Sequence, residues 1–497
     1  MRIKNLFIDS RAVRSLKIDG RPIAFVTEPV ASDALCFTAE EPGSTVKLTK
    51  NGSAPTVNLQ TSTNGSSWTP YTVEDTITLA NVEDKVYFKA VGSNASMGSS
   101  SSNYHKFVMT GKIAASGNVN SLLEEDEETA RAISLAGKNS CYNGMFQGCR
   151  SLTQAPELPA TTLTERCYNG MFQGCTSLTQ APTLPATTLA VGCYSGMFNN
   201  CTSLTQAPTL PATTLAAGCY DNMFRNCSSL TQAPTLPATT LAVGCYKGMF
   251  RNCARLTQVP VLPVTTLANN CYDGMFNGCK ALTQAPELPA TTLAVFCYSS
   301  MFENCSSLTT APVLPVTTLA NNCYNNMFKG CSSLTTAPAL PATTLTYSCY
   351  SGMFNGCSAL TTAPELPATE LASNCYSYMF NGCKALTQAP TLTATTLANY
   401  CYDNMFNGCS TLSSLKVAFT AWGSETSKWL DNVAATGTFR CPQALIDNTT
   451  TRDSNTVPES WSMVAYDAEF KGLCFTAEEA GSTVKLTKNG SAPTVNL

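Results

Sequence analysis

Cysteine recurs every 26 residues, at 141, 167, 193, 219, 245, 271, 297, 323, 349, 375 and 401, and a second cysteine follows each one eight residues later, from Cys149 to Cys409. These eleven pairs take up 22 of the 25 cysteines. A fixed period of this size is the signature of stacked repeats and constrains the fold more than any composition. A typical unit, CYSGMFNNCTSLTQAPTLPATTLAVG, runs from Cys193 to Gly218. Within it, Cys193, Met197 and Cys201 stand at i, i+4 and i+8 with Tyr194 and Phe198 alongside, which predicts one apolar face of a short helix. The following SLTQAP sets apolar Leu204 and Ala207 around Thr and Gln, as in a short strand. Pro208 removes a backbone donor, so each strand is expected to stop there. Pro211 and the Ala-Thr-Thr run then return the chain, with Leu215 pointing inward. The predicted fold class is an α/β repeat solenoid with a short strand and a short helix per coil. One coil buries too little to stand alone, so neighbours must stack. Eleven coils at strand spacing of about 4.8 Å give a rod of roughly 50 Å.

The run CSSLTQAPTLPATTLAVGCYKGMFRNC, Cys227 to Cys253, resembles BspA-like leucine-rich repeats. More specifically, it is similar to the 26-residue surface-protein repeats with an MF-x-x-C-x-S-L core. The resemblance covers about residues 141–415. It implies a leucine-rich-repeat-like binding scaffold of the kind found on cell-surface and adhesive proteins of bacteria and protozoa. The ligand does not carry over.

The flanks read differently. Residues 31–112 hold alternating β-rich segments such as STVKLTKNG and KVYFKAVGS, separated by Asn-Gly and Gly-Ser turns. They predict an antiparallel sandwich similar to an immunoglobulin-like module, with Trp68 as a core anchor. Residues 1–30 carry a hairpin signal, Ser15 to Ile23 with Asp19-Gly20 at the turn. This opening resembles the N-terminal anchoring segments of phage tail and fibre proteins. Residues 113–140 are expected to cap the first of the coils spanning 141–414, and residues 415–470, with three tryptophans, the last. Leu473–Leu497 repeats Leu35–Leu59 with one change, Pro42 against Ala480. Residues 471–497 thus read as the start of a second, incomplete sandwich, and the natural product is expected to continue.

Charge narrows the function. Lys and Arg number 30 against 33 Asp and Glu, and no basic tract stands out, which argues against nucleic acid as a partner. No apolar stretch approaches the roughly 18 residues of a membrane span. The opening residues lack the apolar core of a secretory signal, so a chain starting at Met1 is expected to be made in the cytoplasm without ordinary export. His105 is the single histidine, expected at a surface or turn, and the usual nucleophile–histidine pairs have no basis. No Cys-x-x-Cys occurs, and on a helix an eight-residue separation spans about 12 Å, too far for one tetrahedral metal site or a disulfide within the pair. Equivalent cysteines of adjacent coils come within about 5 Å, which leaves cross-coil disulfides open; small buried core side chains are the simpler reading. The run Glu124 to Glu128 reads as a solvated helix start. No catalytic residue, cofactor or metal is expected.

The informative positions are those that vary from coil to coil. One row holds Gln154, Gln180, Gln206, Gln232, Gln258, Gln284, Thr310, Thr336, Thr362 and Gln388; near it stand Glu157, Glu287 and Glu365. Asn143-Gly144, Asp221-Asn222, Lys247-Gly248 and Ser377-Tyr378 vary likewise after the first cysteine. Either these are solvent-facing residues drifting after duplication, or they form a ligand-reading face. The expected function is non-enzymatic adhesion: a tail-fibre or other virion-attached protein that binds a glycan or protein on the host surface. The N-terminal segment would join it to other virion proteins, with neither nucleic acid nor membrane insertion involved and a homo-oligomer allowed. The alternatives are a bacterial cell-surface adhesin and, less so, a structural spacer.

Overall fold

The computed structural model describes residues 32–453 and 455–466, preceded by two short strands, β1 (Lys17–Ile18) and β2 (Arg21–Pro22). These pair antiparallel, Lys17 with Pro22 and Ile18 with Arg21, on either side of the predicted Asp-Gly turn. The proposed phage-like anchor otherwise lies outside the described residues, as does the second sandwich at 471–497.

The N-terminal module consists of two sheets. Strands β3 (Leu35–Ala39), β5 (Leu59–Ser62), β6 (Thr69–Tyr71), β8 (Lys85–Ala90) and β10 (Ile113–Ser116) belong to one, β4 (Ser44–Asn51), β7 (Thr76–Leu79) and β9 (Tyr104–Thr110) to the other. The sheets meet through Phe37, Phe88 and Phe107, whose rings sit 4.8–5.7 Å apart edge to face. Trp68, expected as the anchor, is only half-buried and lies beneath Lys89 Nζ, 4.4 Å from its ring. His105 is not a surface residue either. It is buried on β9, its Nδ1 lies 3.0 Å from the Met97 carbonyl oxygen, and burial holds its pKa below the ordinary value.

The first sheet does not end with the module. β10 pairs antiparallel with β3 on one side and parallel with β11 (Leu152–Gln154) of the first coil on the other. Buried residues then run on without a break through all eleven coils. Each coil contributes Cys, Tyr, Met, Phe, Cys and Leu at equivalent positions, and each column repeats by translation. Phe146, Phe172 and Phe198 stack at 5.3 and 5.6 Å with their planes within 4°. Tyr142 and Tyr168 stack at 5.6 Å.

The helix expected in each coil is absent. Among the described residues, α-helix is confined to α1 (Glu127–Arg131) and α2 (Gln443–Asp447), both outside the coils. The segment from Ser140 to Cys149 is instead a run of tight turns. Ser140, Gly144 and Gly148 take φ of 56°, 60° and 79°. A left-handed residue at every fourth position prevents the i to i−4 bonds of a helix. Alternate amides close turns locally, Met145 N to Tyr142 O and Cys149 N to Phe146 O. The intervening ones bond the next coil: Tyr142 N to Cys167 O, Gly144 N to Asn169 O, and Phe146 N to Met171 O, at 2.8–2.9 Å. The four-residue turn unit therefore produces the same i, i+4, i+8 apolar spacing that a helix would.

The opposite side of each coil is sparsely bonded. Parallel pairing is reduced to single bridges such as Gln154 with Gln180, Thr310 with Thr336, and Thr188 with Thr214. The prolines, two in most coils, leave too few donors for a longer ladder.

Both ends are closed by residues that imitate a coil. On β9, Phe107 stacks on Phe146 at 5.4 Å, donates its amide to Met145 O and accepts from the Cys149 thiol. The module thus covers the phenylalanine column, while Asn120 takes the Tyr142 hydroxyl at 2.9 Å. At the other end, Trp429 O accepts from Phe406 N, and Lys428 and Asn432 are left-handed like the residues of a coil. Beyond it, β12 (Ser414–Lys416), β13 (Gly437–Cys441) and β14 (Trp461–Ala465) form a parallel sheet. The acidic run ties this architecture together: Asp126 caps α1, Glu127 accepts from Asp33 N, and Glu125 from Gly92 N.

Candidate functional site

Every coil offers a turn side and a strand side, and their chemistry differs. On the turn side the second of the two residues following each Cys-Tyr is constrained by the backbone, while the first varies. The second of each pair, Gly144, Asn222, Gly248 and Tyr378 among them, is a left-handed residue, which explains the prevalence of Gly and Asn there. Charges on this side pair across coils, with Lys247 Nζ 3.0 Å from Asp273 and Lys329 Nζ 3.2 Å from Glu303. Asn226 and Asn252 donate their amides to Asn200 and Asn226 at 2.8 and 2.9 Å, a ladder along the axis. Partial burial lifts the Asp221 carboxyl to about 6 against the pull of Lys247.

Between the two sides lie the thiols. All 22 repeat cysteines are buried and unbridged. The second cysteine of each pair does more than fill space. Its Sγ donates to the carbonyl of the phenylalanine one coil back, as in Cys201 to Phe172 and Cys279 to Phe250, at 3.1 and 3.2 Å. Alanine would lose this bond, and serine would bring a stronger, costlier polar group into the core. Burial pushes the thiols of Cys167, Cys201 and Cys253 up to about 12, so they stay protonated and unreactive at neutral pH. Among the described residues no three His, Cys, Asp or Glu side chains gather to hold a metal ion, and no helix is long and apolar enough to cross a membrane.

The strand side carries the residues singled out from the sequence. Gln154, Gln180, Gln206, Gln232, Gln258, Gln284, Thr310, Thr336, Thr362 and Gln388 are all exposed and stand in one column. Within it Gln232 donates to Gln258 at 2.6 Å. Glu287 and Glu365 are exposed beside this column, each at the lip of a shallow groove. Glu157 differs: it pairs with Arg131 at 3.1 Å and its amide bonds Gly117 O, so it fastens the first coil to its cap.

The grooves themselves were not foreseen. One of about 270 Å³ runs between Pro286 and Pro289 of one coil and Pro312 and Pro315 of the next, with Val313 on its rim. It recurs at about 280 Å³ between Pro182, Pro185, Pro208 and Pro211. The sequence signal was the recurring pair of prolines, the first read as a strand terminator and the second as part of the chain's return.

Comparison with known proteins bears on the repeat alone. No curated protein matches the chain. Among solved structures, a TLR13 chain from a TLR13–ssRNA13 complex is similar at 15% identity and a TM-score of 0.24. That alignment covers 65% of this chain and 45% of that one, so this chain spans less than half of its length. The model of the BspA type leucine rich repeat region matches six copies, over residues 139–283, 219–360 and 325–425. With more than half of its length matched in register by that model, the chain belongs to the BspA-type leucine-rich repeat family.

Proposed function

We propose that the chain is a non-enzymatic adhesion protein whose solenoid contacts the surface of a host cell, most simply as part of a phage tail fibre or other virion appendage. The observation that carries this reading is the strand side of the coils. It repeats one set of exposed polar side chains over a dry core, which suits many weak contacts acting together. We read the two-sheet N-terminal module as an immunoglobulin-like carrier that holds the solenoid away from its attachment point. The hairpin at Lys17–Pro22 supports attachment through the N-terminal segment. Membership of the BspA-type family, whose repeats are typically surface-associated, equally supports a second reading as a bacterial surface adhesin.

Purified full-length chain incubated with intact bacterial cells should sediment with those of the host. Antibody against it should label purified phage particles; labelling of the cell envelope instead would favour the adhesin. Failure to bind any cell, or cleavage of a surface polysaccharide, would remove the proposal.

A further inference from the structure

Each coil carries two adjacent threonines on its strand side. The first is Thr in every coil from Thr161 to Thr395, and the second in every coil from Thr162 to Thr396 save for Glu370. All of them are exposed. Exposed positions of the same face do drift: a few residues earlier in the coil stand Glu157, Thr183, Val261 and Ala339. Exposure without drift needs a cause.

The fold supplies one for a third threonine column but not for these two. Thr257, Thr309 and Thr387 each donate Oγ1 to a carbonyl one coil back at 3.3 Å. In the paired columns, Thr291 reaches Thr265 O at 3.5 Å. The other hydroxyls of these two columns make no hydrogen bond among the described residues. A β-branched shape suits bridged backbone, but valine would supply that shape as well. The hydroxyls are therefore surplus to the fold.

Charge restricts what they meet. The ten segments from 153–163 to 387–397 contain no Lys or Arg, and their acids are Glu157, Glu287, Glu365 and Glu370. Phosphate, sulfate or carboxylate groups would find no counter-charge there. Within these segments there is no Trp, Tyr or Arg of the kind that anchors protein partners, and the large exposed apolar residues are Val261 and Val313; exposed Tyr347 and Tyr400 stand at the corner beyond, in two coils. What it offers instead is rows of hydroxyls and carboxamides beside proline-lined grooves that repeat along the axis.

We propose that this face binds an uncharged linear polysaccharide laid along the solenoid axis. Its hydroxyls exchange hydrogen bonds with the threonine and glutamine columns, and the C–H faces of its sugar rings rest in the proline grooves. This rests on the adhesion reading above and names its ligand class.

The test uses the full chain and a variant carrying Thr240→Val, Thr266→Val and Thr292→Val in successive coils. Both are run through gels containing dextran, mixed-linkage β-glucan, galactomannan, heparin or alginate, and both are sedimented with host cells. The full chain should be retarded by at least one neutral polymer, equally at low and high salt. In the variant, retardation and cell binding should fall about tenfold or more with an unchanged melting temperature. Retardation by heparin or alginate alone, weakened by salt, would overturn the inference and transfer binding to the turn side, where the repeat's lysines and arginines stand. Undiminished cell binding by the variant would overturn it while leaving adhesion intact. Absence of cell binding by the full chain would sink the adhesion reading itself.

Discussion

The turn side and the strand side of the solenoid repeat at the same 26-residue period, yet they are built on opposite terms: the first is mostly buried or half-buried, the second mostly exposed. On the turn side the backbone is committed: left-handed residues recur every fourth position and amides bond the next coil at 2.6–3.2 Å. Side-chain identity at the left-handed positions follows from conformation, and Lys247 and Lys329 pair with acids of neighbouring coils. On the strand side the backbone makes single bridges, and most side chains answer nothing within the molecule. Rigidity in a solenoid can thus be concentrated on one flank and in the core, leaving the other flank to be shaped by what it touches.

Alkali should break the core first and with the greatest effect. The unfolded chain's thiols ionise near 9.0, whereas Cys201 and Cys253 in the fold titrate at about 12. A raised folded pKa contributes stability that is complete below the unfolded value and lost as pH climbs towards the folded one. Each such thiol then forfeits about 1.4 kcal/mol per pH unit, and there are many. Circular dichroism should show cooperative unfolding shortly above pH 9 and a flat signal from neutral pH to there. Survival to pH 12 would mean that the thiols are not dry.

Phe276→Ala, in mid-column, should cost about 3–5 kcal/mol in denaturant unfolding, against under about 0.5 kcal/mol for Thr292→Val on the strand side. Equal costs would erase the distinction between the two. The conformational origin of the turn side has a cleaner probe. Gly196 has φ of 60° with open space where a Cβ would stand, so Gly196→Ala tests backbone strain alone. It should lose about 1–2 kcal/mol, while Tyr378→Gly, at a left-handed position with φ of 57°, should gain about 1 kcal/mol. The smallest effect concerns Tyr194, whose buried hydroxyl has no hydrogen-bond partner among the described residues. Tyr194→Phe should leave the melting temperature unchanged or raise it slightly.

Much of this was legible in the sequence. The cysteine period announced the solenoid, and the columns of Cys141, Met145 and Cys149 are buried throughout, while the Leu215 column, expected to point inward, is half-buried in most coils. The turns were missed because Cys193, Met197 and Cys201 have the same spacing in a four-residue turn unit as in a helix. The discriminating signal was present in Gly192, Gly196 and Asn200, one left-handed residue just before each apolar one. The cover over Phe146 was beyond reach, since it depends on Phe107, on a strand of the N-terminal module, meeting a residue 39 positions away in the turns of the first coil. The glutamine column was recognised because it varies; the threonine pair was passed over because it does not. Variation marks solvent exposure, and an exposed residue that stays constant marks something further.

The bond from each second cysteine to the phenylalanine carbonyl one coil back has a genetic consequence. Every coil presents the same donor to its predecessor and the same acceptor to its successor. A crossover between any two repeats in register yields a chain in which all these donors and acceptors remain matched. These bonds therefore place no limit on coil number. The length of the outer face can change by whole units in a single event, ahead of any point substitution.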